Sequence, residues 1–286
     1  MKLFKYYFLL VVSVILIFSA CSSVPKSTGE VFVIRKQAEE GMEKANKHAS
    51  QGNYDHALLL INDYKRMAIL ADDPSLIIRC SLVRGNILFS LGRVDEALAE
   101  WDMAIAEAFR DKNLELLSVS RVFKARGNLL SNRASAQSVY DEVNRESANI
   151  KNYPLYIAFS WQVKGLAFRS LSLFREAEDA IRRSLAIHEK EKSLENVSFD
   201  WYTIASIRSL AGLHAGAIEA LEKSIEIDRK IENSWGLAVS WRAKGDVYRN
   251  AGRQNEALDA YGKARTIFAA MRNDHEVAET DKKIRN

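Results

Sequence analysis

The chain of 286 residues is 48% hydrophobic and holds 41 basic against 37 acidic side chains. That composition fits one large folded domain and excludes disordered or collagen-like chains. Lys2 and Lys5 lie in a segment expected to be removed, which brings the charge totals to within two of each other; such a balance gives no field to attract nucleic acid.

At the N-terminus, Lys2 and Lys5 flank the start of an uncharged apolar run from Tyr6 to Phe18, followed by Ser19, Ala20 and Cys21. A charged start, a short apolar core and small residues before a cleavage point make the plan of a signal peptide over residues 1–20, and the run is shorter than the ~20 residues of a spanning helix. The junction Phe18-Ser19-Ala20-Cys21 resembles the lipobox of bacterial lipoproteins, although Phe18 stands where an aliphatic residue is usual. The resemblance implies cleavage before Cys21 and a diacylglycerol on its thiol. Ser22, in place of an aspartate, resembles an outer-membrane address. Residues 21–32 then read as the lipidated cysteine and a polar tether containing Pro25 and Gly29.

From residue 33 small residues recur in register: Ala45, Gly85, Gly127, Gly165, Ala205 and Gly245, spaced 40, 42, 38, 40 and 40 residues apart. Seven residues after each come Gly52, Gly92, Ala134, Ser172, Gly212 and Gly252, and five further on Ala57, Ala97, Val139, Ala177, Ala217 and Ala257. The first position lets a second helix approach the first, the next sits at the turn where glycine tolerates positive φ, and the last opens the packed face of the second helix. Apolar residues follow at helical spacing and no alternating strand pattern competes. The chain therefore reads as all-α, with helix pairs in units 33–71, 75–110, 114–149, 155–191, 196–231 and 235–271, and a polar cap over 274–285. Pro74 and Pro154 fall at helix starts, so no proline interrupts a helix. The third unit matches the register least well.

The segments from Gly85 to Ile105 and from Gly245 to Ala264 resemble tetratricopeptide repeats. Trp161, Trp201 and Trp241 stand four residues before the first small position, and Phe168 and Tyr248 follow it, as the family's pattern asks. The family's period is about 34 residues and here it is about 40, which implies longer helices; HEAT-type repeats share the longer period but not the seven-then-five spacing. The resemblance implies a right-handed α-solenoid of about six helix-turn-helix repeats with a C-terminal capping helix. It also implies binding of a protein or peptide on the concave face of the first helices.

Carried over position by position, the family's groove falls on Glu39, Arg79, Asn86, Phe89, Arg121, Lys124, Asn128, Gln162, Arg169, Tyr202, Arg242, Asp246 and Arg249. The basic excess among these suggests a partner with an acidic segment. Phe159 and Phe199 join Phe89 and Tyr202 as candidates for an apolar trough. Lys124 and Asn128 match the start of the family's dicarboxylate clamp, but Val163, Phe199 and Thr203 break the match, so chaperone-tail recognition is excluded. The three tryptophans read as core, and Cys80 as a small buried hydrophobe. The histidines show no HExxH spacing and no nucleophile motif occurs, so neither catalysis nor a metal or cofactor is expected. The reading is a membrane-anchored interaction scaffold of the bacterial cell envelope, facing the periplasm from the outer membrane. The alternative is a surface-exposed lipoprotein adhesin, with an enzyme of unrecognised site behind both.

Overall fold

A left-handed residue stops the helices at intervals of twenty positions. Gly52, Asp72, Gly92, Lys112, Asn132, Ser172, Lys192, Gly212, Glu232, Gly252 and Arg272 all have φ between 48° and 81°. At each, the N–H of the following residue donates to the carbonyl five positions back, as Arg93 does to Leu88 (3.0 Å) and Ser193 to His188 (2.9 Å). The last carbonyls of these helices are thus satisfied within the turn, which is three residues long at all but Asn132. Only some of these residues are glycine. The turns between units carry Asp72, Lys112, Lys192, Glu232 and Arg272 in the same conformation.

The computed structural model describes residues 29–285, so the expected signal peptide, Cys21 and most of the tether lie outside the described residues. Thirteen helices and no strand occur among them: α1 Gly29–Ser50, α2 Tyr54–Leu70, α3 Pro74–Ser90, α4 Val94–Arg110, α5 Leu114–Leu130, α6 Ala136–Ser147, α7 Pro154–Ser170, α8 Phe174–Lys190, α9 Leu194–Leu210, α10 His214–Lys230, α11 Ser234–Asn250, α12 Gln254–Ala270 and α13 Asp274–Arg285. Helix α1 already begins at Gly29, ahead of the expected start at residue 33. Each helix packs on its neighbours in the chain, and α1, α3, α5 and α7 also touch in succession, as do α9 and α11. This is the nearest-neighbour stacking of a helical solenoid with the first helices inside.

Within a unit the two helices meet where a small residue of the first faces a large one of the second, sixteen positions on. A Cβ on Gly85 would lie 2.3 Å from the Trp101 indole, one on Gly165 2.5 Å from Ile181, and one on Gly245 2.5 Å from Tyr261. The expected tryptophan core is only half right. Trp161, Trp201 and Trp241 are half-buried at the seam, each under a cation from its own second helix: Arg183 at 4.6 Å, Lys223 at 3.9 Å and Lys263 at 4.5 Å from the ring centroid. Each such contact adds about 0.5–1 kcal/mol at a site this exposed.

The third unit corrects the register. Its first helix keeps the forty-residue spacing, so the residue equivalent to Gly85 and Gly165 is Ala125, 1% exposed, and the turn residue is Asn132 (φ 56°), not Ala134. Two extra residues sit in the α5–α6 turn. Beyond them Val139, Val143, Glu146 and Ile150 take the buried positions that Ala177, Ile181, Ser184 and His188 hold in the next unit. Gly127 is a glycine for a different reason. A Cβ there would lie 2.3 Å from Cζ3 of Trp101, whose indole bridges α4 to both α3 and α5. Helix α6 ends early, at Ser147, and the Glu115 carboxylate closes the gap by accepting from the backbone N–H of Lys151 (2.6 Å) and Asn152 (2.5 Å). Burial alone would raise the Glu115 pKa, but these donors hold it below the usual carboxylate range.

Two buried polar layers divide the apolar core. At the fourth-to-fifth junction Asp200 accepts from Gln162 Nε2 (2.8 Å) and Ser184 Oγ (3.1 Å) and faces His188 Nδ1 (2.7 Å). At the fifth-to-sixth junction Ser198, Ser224 and Ser240 form a hydroxyl chain beside Asp228, which accepts from Asn233 Nδ2 (2.9 Å). The two ends of the stack also meet. Tyr54 lies edge-on to Trp235 (5.8 Å between centroids), and the Met271 methyl occupies the space a Cβ on Gly52 would need. Six units therefore complete one tight turn.

Two outcomes follow from this packing. Gly127→Ala drives a methyl into Trp101 and lowers stability by about 1–3 kcal/mol, and Trp101→Phe in the same chain relieves part of the loss; urea unfolding of the single and double variants measures both. Burial lifts the Asp228 pKa from 3.8 to about 6 against the hydrogen bonds from Ser198, Asn233 and Ser224. The folded state then holds a proton that the unfolded chain releases, so this group's contribution is full below pH ~4 and is lost as pH rises through 6. Asp228→Asn should stabilise the protein by about 1–2 kcal/mol at pH 7.5 and converge on the parent near pH 4. A gain independent of pH refutes the assignment.

Candidate partner-binding face

The inner surface is built by the first helices, and the forty-residue register decides which side chains face it. Phe89, Arg169 and Arg249 share one position; Asn86, Ser206 and Asp246 share another; Gln162, Tyr202 and Arg242 share a third. In the corrected register, Arg121, Lys124 and Asn128 leave the groove. Lys124 is equivalent to Arg84, Lys164 and Lys244, and like them it reaches back to the preceding second helix, donating to Asp102 Oδ1 (2.5 Å) as Lys244 does to Glu222 (2.8 Å). Arg121 turns to α6 and donates to Glu146 Oε1 (3.1 Å), whose other oxygen accepts from Ser118 (2.6 Å). Asn128 uses its backbone carbonyl to close the α5–α6 turn.

The expected basic bias is largely neutralised within the chain. Arg79 lies 3.5 Å from Glu39, Arg242 pairs with Glu276 of the capping helix, and Asp246 gathers Arg249 (3.2 Å), Lys283 (2.7 Å) and the Tyr261 hydroxyl (2.7 Å). Helix α13 thus supplies both charges that satisfy the inner residues of the sixth unit. Gln162 is buried and committed to Asp200. Asn86 keeps one carbonyl oxygen out of water with no hydrogen-bond donor, and Phe89 packs 6.0 Å from Trp101. Among the cations named from the sequence, Arg169 alone has no carboxylate. Its guanidinium donates to Ser206 Oγ (3.1 Å), and burial holds its pKa below the ordinary arginine value.

Sequence reasoning missed Arg126. In the forty-residue register it is the equivalent of Asn86 and Asp246 and faces the inner surface. Its guanidinium stands 5.9 Å from the centroid of the half-buried Phe159, which packs on Phe123 at 4.2 Å. No hydrogen bond or ion pair to Arg126 occurs among the described residues, and burial, with no neighbouring charge, lowers its pKa to about 10. Its side chain is still partly open to water. Further round the face, Phe199 remains 38% exposed and stacks on Tyr202 at 6.5 Å.

Other groups with chemical potential are structural. Ser184 and Asp200 both address Nδ1 of His188, at 3.3 and 2.7 Å, whereas a catalytic triad needs serine and acid on opposite ring nitrogens. Burial pushes the Cys80 thiol up to about 12, so it stays protonated. A hollow of about 420 Å³ at the α5–α6 turn has one charged lining residue, Arg133, which pairs with Asp95 at 2.7 Å.

Residues 199–270 match the tetratricopeptide repeat family model. The fold is that of a tetratricopeptide solenoid. Solved structures agree at the level of the fold. BtubC (BKLC) from P. vanneervenii superposes with a TM-score of 0.54 at 16% identity, over 85% of this chain and 92% of that one. A Rap protein complexed with Competence and Sporulation Factor gives 0.59 at 13% identity, over 87% and 74%. PilW, described as a widely conserved type IV pilus biogenesis factor, gives 0.51 at 17% identity, over 85% and 97%. No curated protein matches the chain by sequence.

Proposed function

We propose that this chain is a membrane-anchored scaffold of a bacterial cell envelope, which holds a segment of a partner protein against the inner face of its first helices. The observation that carries the reading is the character of that face: Phe199 open to solvent on Tyr202, with Arg169 and Arg126 lacking carboxylate partners. Aromatic side chains beside cations without counter-ions supply both burial and direction to an extended segment. The anchor rests on Cys21 and the lipobox-like residues before it, and Ser22 supports an outer-membrane address facing the periplasm. The Rap structure contains a bound factor and PilW serves pilus biogenesis, which supports a binding or assembly role for this architecture.

A photo-crosslinking residue at Phe199 should trap a discrete protein in intact cells, while the same residue at Phe109, 73% exposed on the second helix α4, should not. Equal yields at both positions sink the inner-face assignment. Cys21→Ala should abolish fatty-acid labelling and release the protein from membranes. Labelling that survives the substitution removes the anchor.

A further inference from the structure

The partner's chemistry can be read one step further from the two inner cations that the chain leaves without a carboxylate; this step rests on the inner-face reading above. The chain pairs its other groove cations internally, Arg79 with Glu39, Arg242 with Glu276 and Arg249 with Asp246. Arg126 on α5 and Arg169 on α7 occupy successive inner helices. Arg126 has aromatic surroundings, with Phe159 under the guanidinium and Phe123 stacked on Phe159, and Tyr156 lies 5.9 Å from Phe123. A guanidinium in such a place keeps its charge at neutral pH and presents a planar fork of donors with nothing to receive them. An incoming carboxylate satisfies that fork in a medium less polar than water, where a charge-assisted bond is strong.

We propose that Arg126, seated on Phe159 and followed by Arg169 on the next inner helix, is the subsite for an aspartate or glutamate side chain of the partner, flanked in the partner by apolar residues. The position in the stack favours a side chain over a chain terminus. Helix α5 is the third of six inner helices, so a segment anchored there runs on in both directions, and on one side its apolar neighbours meet the Phe199–Tyr202 pair. The fork geometry distinguishes the site from a simple positive patch: two parallel N–H bonds to one carboxylate need arginine, not lysine.

The test uses the full described chain with its arginine Nε–H resonances followed by NMR. Three probes are compared: the tripeptide Leu-Glu-Leu blocked at both ends, Leu-Gln-Leu blocked at both ends, and Leu-Gln-Leu with a free C-terminus. The blocked glutamate peptide should shift the Arg126 resonance saturably, with at least tenfold tighter binding than either glutamine peptide. Arg126→Met should abolish the response and Arg126→Lys should weaken it severalfold, while both variants keep the parent's helical circular dichroism and melting midpoint. Equal or better binding of the free C-terminus overturns the side-chain assignment. Equal shifts at Arg66, an exposed arginine on the second helix α2, show ordinary surface attraction and overturn the subsite. Crosslinking at Phe199 that persists without any Arg126 response removes this subsite alone and leaves the scaffold standing.

Discussion

Eleven of the thirteen described helices of this solenoid depend on one local device, a residue in the left-handed region that ends the helix and lets the next N–H return to the carbonyl five residues back. The device sets helix length. Ten of the helices run 17 residues, about 25 Å, so neighbouring helices match in length along their whole contact. It also disposes of the helix-end carbonyls without water or a partner, which permits turns of three residues and keeps the layers tight. For Lys112, Lys192, Glu232 and Arg272 the left-handed conformation costs about 1–2 kcal/mol each. The packing of the flanking helices offsets this cost.

On that frame, stacking follows from complementary size. A small residue at the middle of a first helix receives a large one sixteen positions on, and Trp101 shows how far one side chain can reach, filling notches at Gly85 and Gly127 on two different helices. Charges follow the same geometry. Lys124, Lys164 and Lys244 reach back to the preceding second helix, and the capping helix α13 ends the series by donating Glu276 and Lys283 to the sixth unit. Where such pairs are exposed, as between Lys124 and Asp102, they add little stability singly. Their larger consequence is to remove most of the cations from the inner face.

The architecture was legible because its period is written in small residues, and the same dependence on small residues produced the one error of register. By its spacing Gly127 reads as the helix-packing position of the third unit, where the structure has Ala125. Both residues are small, but one is small to admit a neighbouring helix and the other to admit an indole from α4. That two-residue slip carried Arg121, Lys124 and Asn128 into the groove and left Arg126 out. A strict forty-residue count finds Arg126, since it keeps all six first helices in step. The left-handed conformation in the turns between units was hidden for a simpler reason: most of its residues are Lys, Glu and Arg, which carry no turn signal in a sequence. Which cations remain without a counter-ion was not legible either, because pairs such as Arg79 with Glu39 and Arg242 with Glu276 join residues 34 to 40 positions apart.

The closure of the stack is a consequence of its regularity and not a cause of it. The junction between first and sixth units consists of the Tyr54–Trp235 contact and Met271 over Gly52, and an edge-on aromatic pair contributes only about 0.5–1.5 kcal/mol beyond its buried area. That is one or two times thermal energy, far less than the continuous apolar clusters that join successive units. In a linear array, stability is a sum over neighbours and shape is a sum over the rotations between them. The third unit shows the constraint at work: its turn gains two residues, yet α6 is shortened to 12 and α7 begins at Pro154, back in step. Because the unit keeps its forty residues, the rotation it passes on stays matched to the others and the two ends still meet. The meeting of the two ends is therefore set by the six units together and not by the contact at the junction.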